Sequence, residues 1–148
     1  MKPTKIKLIV PALLLLISVA AGGQTPPATN AKKSGNVTGH YRMRREEFRN
    51  RIDVQQLRDG KIKFDLLALW VSHYNPENVH NGTLQGIVSI KNGVGFYEAD
   101  SCKLRFDFLP NKVRITQIEG FGDCEFGANV TATGSYRKID NKKPKFDF

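Results

Sequence analysis

A chain of 148 residues, 40% hydrophobic and 25% charged, has room for one domain of ordinary size and little more. Its 23 Lys+Arg against 14 Asp+Glu give a formal charge of +9, which favours anionic partners, although no nucleic-acid reader motif is present. Neither Gly-x-Ser-x-Gly nor His-Glu-x-x-His occurs, and no spacing suits a metal or cofactor, so the chain is expected to be non-catalytic and to need neither.

Lys2, Lys5 and Lys7 precede an apolar run from Leu8 to Ala21, which is broken only by Pro11 and Ser18. Small residues follow at Ala20, Ala21, Gly22 and Gly23. A charged start, a short apolar stretch and a small-residue cleavage zone predict a signal peptide over 1–23 and a secreted or periplasmic mature protein. A membrane-spanning helix needs about 20 apolar residues. The run here is shorter, so no transmembrane anchor is expected after cleavage. Removal of the three lysines leaves 20 Lys+Arg against 14 Asp+Glu, a net of +6.

Residues 24–37 are polar and carry Pro and Gly, the composition of a disordered linker. The next hundred residues, 38–139, read as a single β domain. Apolar side chains alternate with polar ones in Ile62-Lys63-Phe64-Asp65-Leu66 and again in Cys102-Lys103-Leu104-Arg105-Phe106-Asp107-Phe108. That period of two gives strands with one buried and one wet face. Strands are predicted over 39–45, 52–57, 62–70, 84–90, 94–99, 102–108, 112–118 and 129–138, with a helical turn as the candidate for 44–50. Turn chemistry at Asp59-Gly60, Asn92-Gly93 and Pro110-Asn111 marks hairpins between them. Eight consecutive antiparallel strands favour an all-β up-and-down barrel over a two-sheet sandwich. The repeated Gly39-His40-Tyr41-Arg42 and Gly134-Ser135-Tyr136-Arg137 segments are candidates for pairing where a barrel closes. Residues 140–148 read as a flexible basic tail.

Cys102 and Cys124 are the only cysteines, and an even count in an exported chain predicts a disulfide. Arg42, Arg44, Arg45, Arg49 and Arg51 near the start and Lys138, Lys142, Lys143 and Lys145 near the end would merge into one basic patch if the two ends lie side by side. The long connection 72–82 carries His73 and His80, with Tyr74 beside them and Trp70 at the end of the preceding strand. With Phe121 in the Gly-rich loop 120–123, these are the candidate binding residues. Loops at one end of a barrel carry binding groups because the scaffold holds them in place.

The block Cys124-Glu125-Phe126-Gly127-Ala128-Asn129-Val130-Thr131-Ala132-Thr133-Gly134-Ser135-Tyr136, preceded by Cys102-Lys103-Leu104-Arg105-Phe106, resembles the ending of a loose group of small exported bacterial proteins. Glu125 stands where that group commonly has glycine. The resemblance covers the last third of the chain. It implies export and carries over no catalytic residue.

The expected function is therefore that of a secreted, non-catalytic β-barrel module binding a small molecule or an envelope component. A protein-interaction module, such as an inhibitor of a lysozyme-type hydrolase, is the alternative. A small hydrolase built around His73 and His80 is the third. The possible partners are a small ligand, an anionic envelope surface or another secreted protein, and not nucleic acid.

Overall fold

Alternation of apolar and polar residues along eight strands produces a closed antiparallel barrel in which every strand pairs with its neighbour in chain order and the last pairs with the first. The structure, a computed structural model, describes residues 35–118 and 124–148. The expected signal peptide, most of the expected linker, and Phe121 with its loop lie outside the described residues. The strands are β1 (Gly39–Arg45), β2 (Phe48–Gln56), β3 (Lys61–Val71), β4 (Val79–Lys91), β5 (Val94–Ala99), β6 (Cys102–Leu109), β7 (Lys112–Gln117) and β8 (Gly134–Lys138), with a single 3-10 turn, Arg58–Gly60, before β3.

The turns follow from local chemistry. Asn92 and Gly93 both take positive φ (53° and 80°), as the tight hairpin between β4 and β5 requires. Asn111 does the same beyond Pro110, and Leu109 pairs with Lys112 across that turn. The helical turn expected over 44–50 does not form. Arg45 pairs with Phe48 instead, Glu46 adopts φ 48°, and β2 starts at Phe48. Strand β4 starts earlier than expected, at Val79, because β3 pairs with it from Lys61↔Ser89 to Val71↔Val79. Strand β8 starts later, at Gly134. The preceding backbone groups bind side chains rather than a ladder: Thr131 O accepts from Asn50 Nδ2 and Thr133 N–H donates to Thr131 Oγ1.

Inward-facing side chains fill the barrel. Ile52, Val54, Phe64, Leu66, Leu104, Phe106, Val113, Ile115 and Tyr136 are wholly buried. Phe64 lies 5.1 Å from Phe106 and 5.4 Å from Tyr97, ring centre to ring centre. Large side chains enter the space left at inward glycines: a Cβ on Gly82 would lie 2.0 Å from Phe126, and one on Gly134 would lie 2.0 Å from the Met43 sulfur.

The two Gly-x-Tyr-Arg segments do meet at the closure, where Arg42 pairs with Arg137 and Tyr41 with Lys138. Each tyrosine also turns back on its own entry segment. Tyr41 donates to Val37 O at 2.6 Å, and Tyr136 donates to Ala132 O at 2.7 Å. Burial pushes the Tyr41 hydroxyl up to about 12, and burial likewise raises Tyr136 against the opposing hydrogen bond from Asn50.

Cys102 and Cys124 form the disulfide, with Cα atoms 4.4 Å apart. It holds the segment 124–133 over one end of the barrel, where Phe126 sits on Gly82 and Gly127 N–H donates to Asn81 O. A disulfide is compatible with an extracytoplasmic location. Among the described residues no helix is long and apolar enough to cross a membrane. The segment 140–148 has no regular secondary structure. Its Pro144 is buried, and Lys63 of β3 places its ammonium 4.0 Å from the Phe148 ring centre and 5.2 Å from that of Phe146.

Closing a loop of this length removes chain entropy worth about 3 kcal/mol, so Cys102→Ser is expected to cost on the order of 2–5 kcal/mol. Denaturant midpoints of wild type and variant measure this, and equal midpoints contradict it. The tyrosines set an alkaline limit. A hydroxyl that holds its proton more tightly when folded contributes stability that is intact below about pH 10, the unfolded value. That contribution falls as pH rises through the folded value of about 12 for Tyr41. Thermal melts from pH 8 to 12 are expected to fall less steeply for Tyr41→Phe than for wild type.

Candidate functional site

Two surfaces emerge, one at the barrel end and one on its wall. At the end, Glu47 in the β1–β2 turn is the organising residue, although nothing in its spacing marked it in the sequence. Its carboxylate accepts from the Trp70 indole N–H at 2.9 Å and from the His73 backbone N–H at 3.2 Å, while its carbonyl accepts from Val71 N–H at 2.8 Å. Trp70, half-buried, stacks on His80 with ring centres 5.2 Å apart. The His80 ring is within 2.6 Å of Ala128 O, which ties it to the disulfide-held segment. The structure therefore brings Trp70, His73, Tyr74 and His80 to one rim. His80 lies in β4 and not in the connecting loop.

The connection 72–78 is internally braced. Ser72 Oγ accepts from the Tyr74 and Asn75 amides, Asn75 Oδ1 from the Glu77 amide, and Ser72 N–H donates to Asn78 O. The bracing presents Tyr74 with 95% of its surface exposed. The His73 ring meets the Tyr74 ring edge-on, with centres 5.5 Å apart. Among the described residues no hydrogen bond joins a ring nitrogen of His73 or His80 to a carboxylate; the His80 ring bonds the Ala128 carbonyl. The His–carboxylate pair that does exist is on the wall. His40 Nδ1 lies 2.7 Å from Asp53 Oδ1, opposite it in register. Burial raises the neighbouring Asp65 carboxyl, with Arg51 opposing and Asp53 reinforcing that shift. One Ser-x-x-Lys match exists, Ser135 to Lys138, but residues three apart on a strand point to opposite faces. No group of three or more His, Cys, Asp or Glu among the described residues could hold a metal ion.

The second surface is the outer wall of β7, β8, β1 and β2. Lys112 pairs with Arg137, Arg137 with Arg42, and Arg42 with Arg51, so four exposed cations form one row across four strands. Strand spacing of about 4.8 Å makes the row about 14 Å long. Arg44 pairs with Arg49 in the next outward row. None of these six forms an ion pair within 4.0 Å among the described residues. Arg45 does pair, with exposed Glu46 at 3.8 Å. Lys142 and Lys143 are exposed in the segment after β8 and do not line the cleft that the arginines form.

That cleft, about 200 Å³, lies where the β2–β3 ladder is interrupted. Asn50, 2% exposed, takes the Leu69 N–H on its side-chain oxygen at 2.9 Å. Arg42, Arg44, Arg49 and Arg51 surround the opening, and Leu67 and Leu69 form its apolar side.

The Glu47 node is accessible to a direct test. Glu47→Ala leaves the indole and the His73 amide without their acceptor and is expected to cost about 1–3 kcal/mol. The chain has one tryptophan, so a red shift of its emission reports this node alone. An unchanged spectrum and midpoint would show the node to be dispensable. Comparison of the chain with protein-family models, curated proteins and solved structures finds no match.

Proposed function

We propose that the protein is an exported, non-catalytic binding module that attaches to an anionic envelope surface through the outer wall of β7, β8, β1 and β2. The observation that carries this reading is the in-register row Lys112–Arg137–Arg42–Arg51. Like charges placed directly opposite each other across strands are destabilising, and an anionic surface is what such a row attracts. The packed interior supports attachment by the exterior over capture of a ligand inside the barrel. The disulfide and the expected signal peptide support export.

A second reading, docking on another secreted protein such as a hydrolase, draws on Tyr74. A rigidly held, exposed tyrosine is a common interface anchor. In that reading Tyr74→Ala abolishes capture of the partner and leaves surface attachment intact.

Each cation near an anionic membrane contributes about 1 kcal/mol. Cosedimentation with vesicles containing phosphatidylglycerol is therefore expected to weaken at least tenfold for the double variant Lys112→Gln/Arg137→Gln, and to fall steeply with salt for the wild type. Equal binding to neutral phosphatidylcholine vesicles, or no change in the variant, would overturn the reading.

A further inference from the structure

We infer that the cleft between β1, β2 and β3 is a binding site for a phosphate monoester. The inference rests on the anionic-surface reading above and names the group recognised at one place within it.

Several charges elsewhere on the barrel's exterior meet a partner of opposite sign. Glu98 faces Lys103 across β5 and β6, and their side chains meet at 2.7 Å. Arg105 grips Asp107 at 2.8 Å, and His40 faces Asp53 at 2.7 Å. Around the cleft arginine lies directly opposite arginine twice, Arg42↔Arg51 and Arg44↔Arg49, and the acidic pair Asp53↔Asp65 further along β2 offsets only the Arg51 side. A merely solvated wall gains nothing from that arrangement, and each opposed like pair works against the fold. A bound dianion removes the repulsion.

The residue type and the size of the opening narrow the ligand. Guanidinium is always protonated, presents its donors as a planar fork and matches phosphate oxygens in bidentate pairs. Arg49 is held in place, because its Nη1 donates to Glu46 O and to Phe48 O. A cleft of about 200 Å³ is below the roughly 300–1,000 Å³ of drug-sized pockets, which suits one compact headgroup. A phosphate monoester carries about −1.5 to −2 at pH 7, roughly twice the charge of a carboxylate. Leu67 and Leu69 offer an apolar wall to the carbon stem of the ester. Met43 and Asn50, both buried, close the floor.

The test pairs a cleft variant, Arg44→Gln/Arg49→Gln, with the wall variant Lys112→Gln/Arg137→Gln. Melting temperatures are read in sodium phosphate and in sodium chloride of equal ionic strength. The general salting effect of phosphate is common to all three proteins and cancels in the comparison. Wild type and the wall variant are expected to gain several degrees more from phosphate than the cleft variant does. In chloride the cleft variant loses a repulsive pair and also the two Arg49 hydrogen bonds, so its melting temperature there is the baseline from which its phosphate gain is read. Titration with glycerol 3-phosphate should show at least tenfold weaker binding for the cleft variant and a change within twofold for the wall variant. Vesicles containing phosphatidic acid separate the sources. Binding to both probes identifies the phosphate ester itself as the ligand, and binding to the vesicle alone identifies a lipid headgroup. Equal phosphate gains in all three proteins, with glycerol 3-phosphate and phosphatidic acid bound alike by wild type and cleft variant, would overturn the inference. Should the wall variant still lose phosphatidylglycerol vesicles in that case, the anionic-surface reading survives alone. Loss in neither variant would sink both.

Discussion

One buried amide holds the closure of this barrel. Asn50 accepts from the Leu69 backbone N–H, and its amino group donates to Thr131 O at 2.8 Å and to the Tyr136 hydroxyl at 3.1 Å. Tyr136 in turn donates to Ala132 O. Strands β2, β3 and β8 and the segment entering β8 thus meet at one side chain. Leaving a buried donor or acceptor unpaired costs about 1–3 kcal/mol each. A slip in any of these strands would orphan several at once, which makes the node a determinant of register as well as of stability. The outer wall follows from it. With Asn50 turned inward, the period of two sends Arg49 and Arg51 outward. Met43, also inward, does the same for Arg42 and Arg44. The arginine cleft is thus the outer face of the same residues that fix the closure.

Much of the barrel was legible because its strands obey a clean alternation and its turns carry Asn and Gly. The run 102–108 predicted β6 almost to the residue, and the hairpin marked by Pro110-Asn111 is observed, closed by Leu109 opposite Lys112. The matching tetrapeptides at the two ends also had a physical basis: each places a tyrosine whose hydroxyl returns to the carbonyl four residues earlier. What escaped lacked a local signal. The β1–β2 turn is Glu46-Glu47, with no Gly, Pro or Asn, and Glu46 reaches positive φ only because the flanking strands pair. The start of β4, His80-Asn81-Gly82-Thr83, reads as loop by composition. It is strand because β3 is long enough to template it.

The candidate site divides in the same way. The arginines at 42, 44, 49 and 51 were visible as a cluster, but their direct opposition was not, because it depends on a turn that composition did not mark. The row through Arg137 and Lys112 needs the barrel's register, which no spacing along the chain encodes. Trp70, His73, Tyr74 and His80 are close in sequence and lie at one rim. Glu47, the residue that joins Trp70 to His73, arrives from another hairpin.

The wall and the core make opposite demands, and ionic strength separates them. The backbones that carry neighbouring cations of the row lie about 4.8 Å apart, within the Debye length of about 8 Å at physiological salt. The cations repel one another even there, at roughly 0.2–1 kcal/mol per opposed pair. A disulfide worth about 3 kcal/mol and a packed interior can carry that load. The row's field beyond the wall is what salt removes first, since approaching surfaces are met at distances greater than a Debye length. Added salt therefore relieves strain within the fold while weakening attraction to a distant anion. A site of this kind departs locally from the best charge pattern for stability, and such departures concentrate where function is carried. The run of like charges that the barrel tolerates on this wall is the reason the proposed attachment is assigned there.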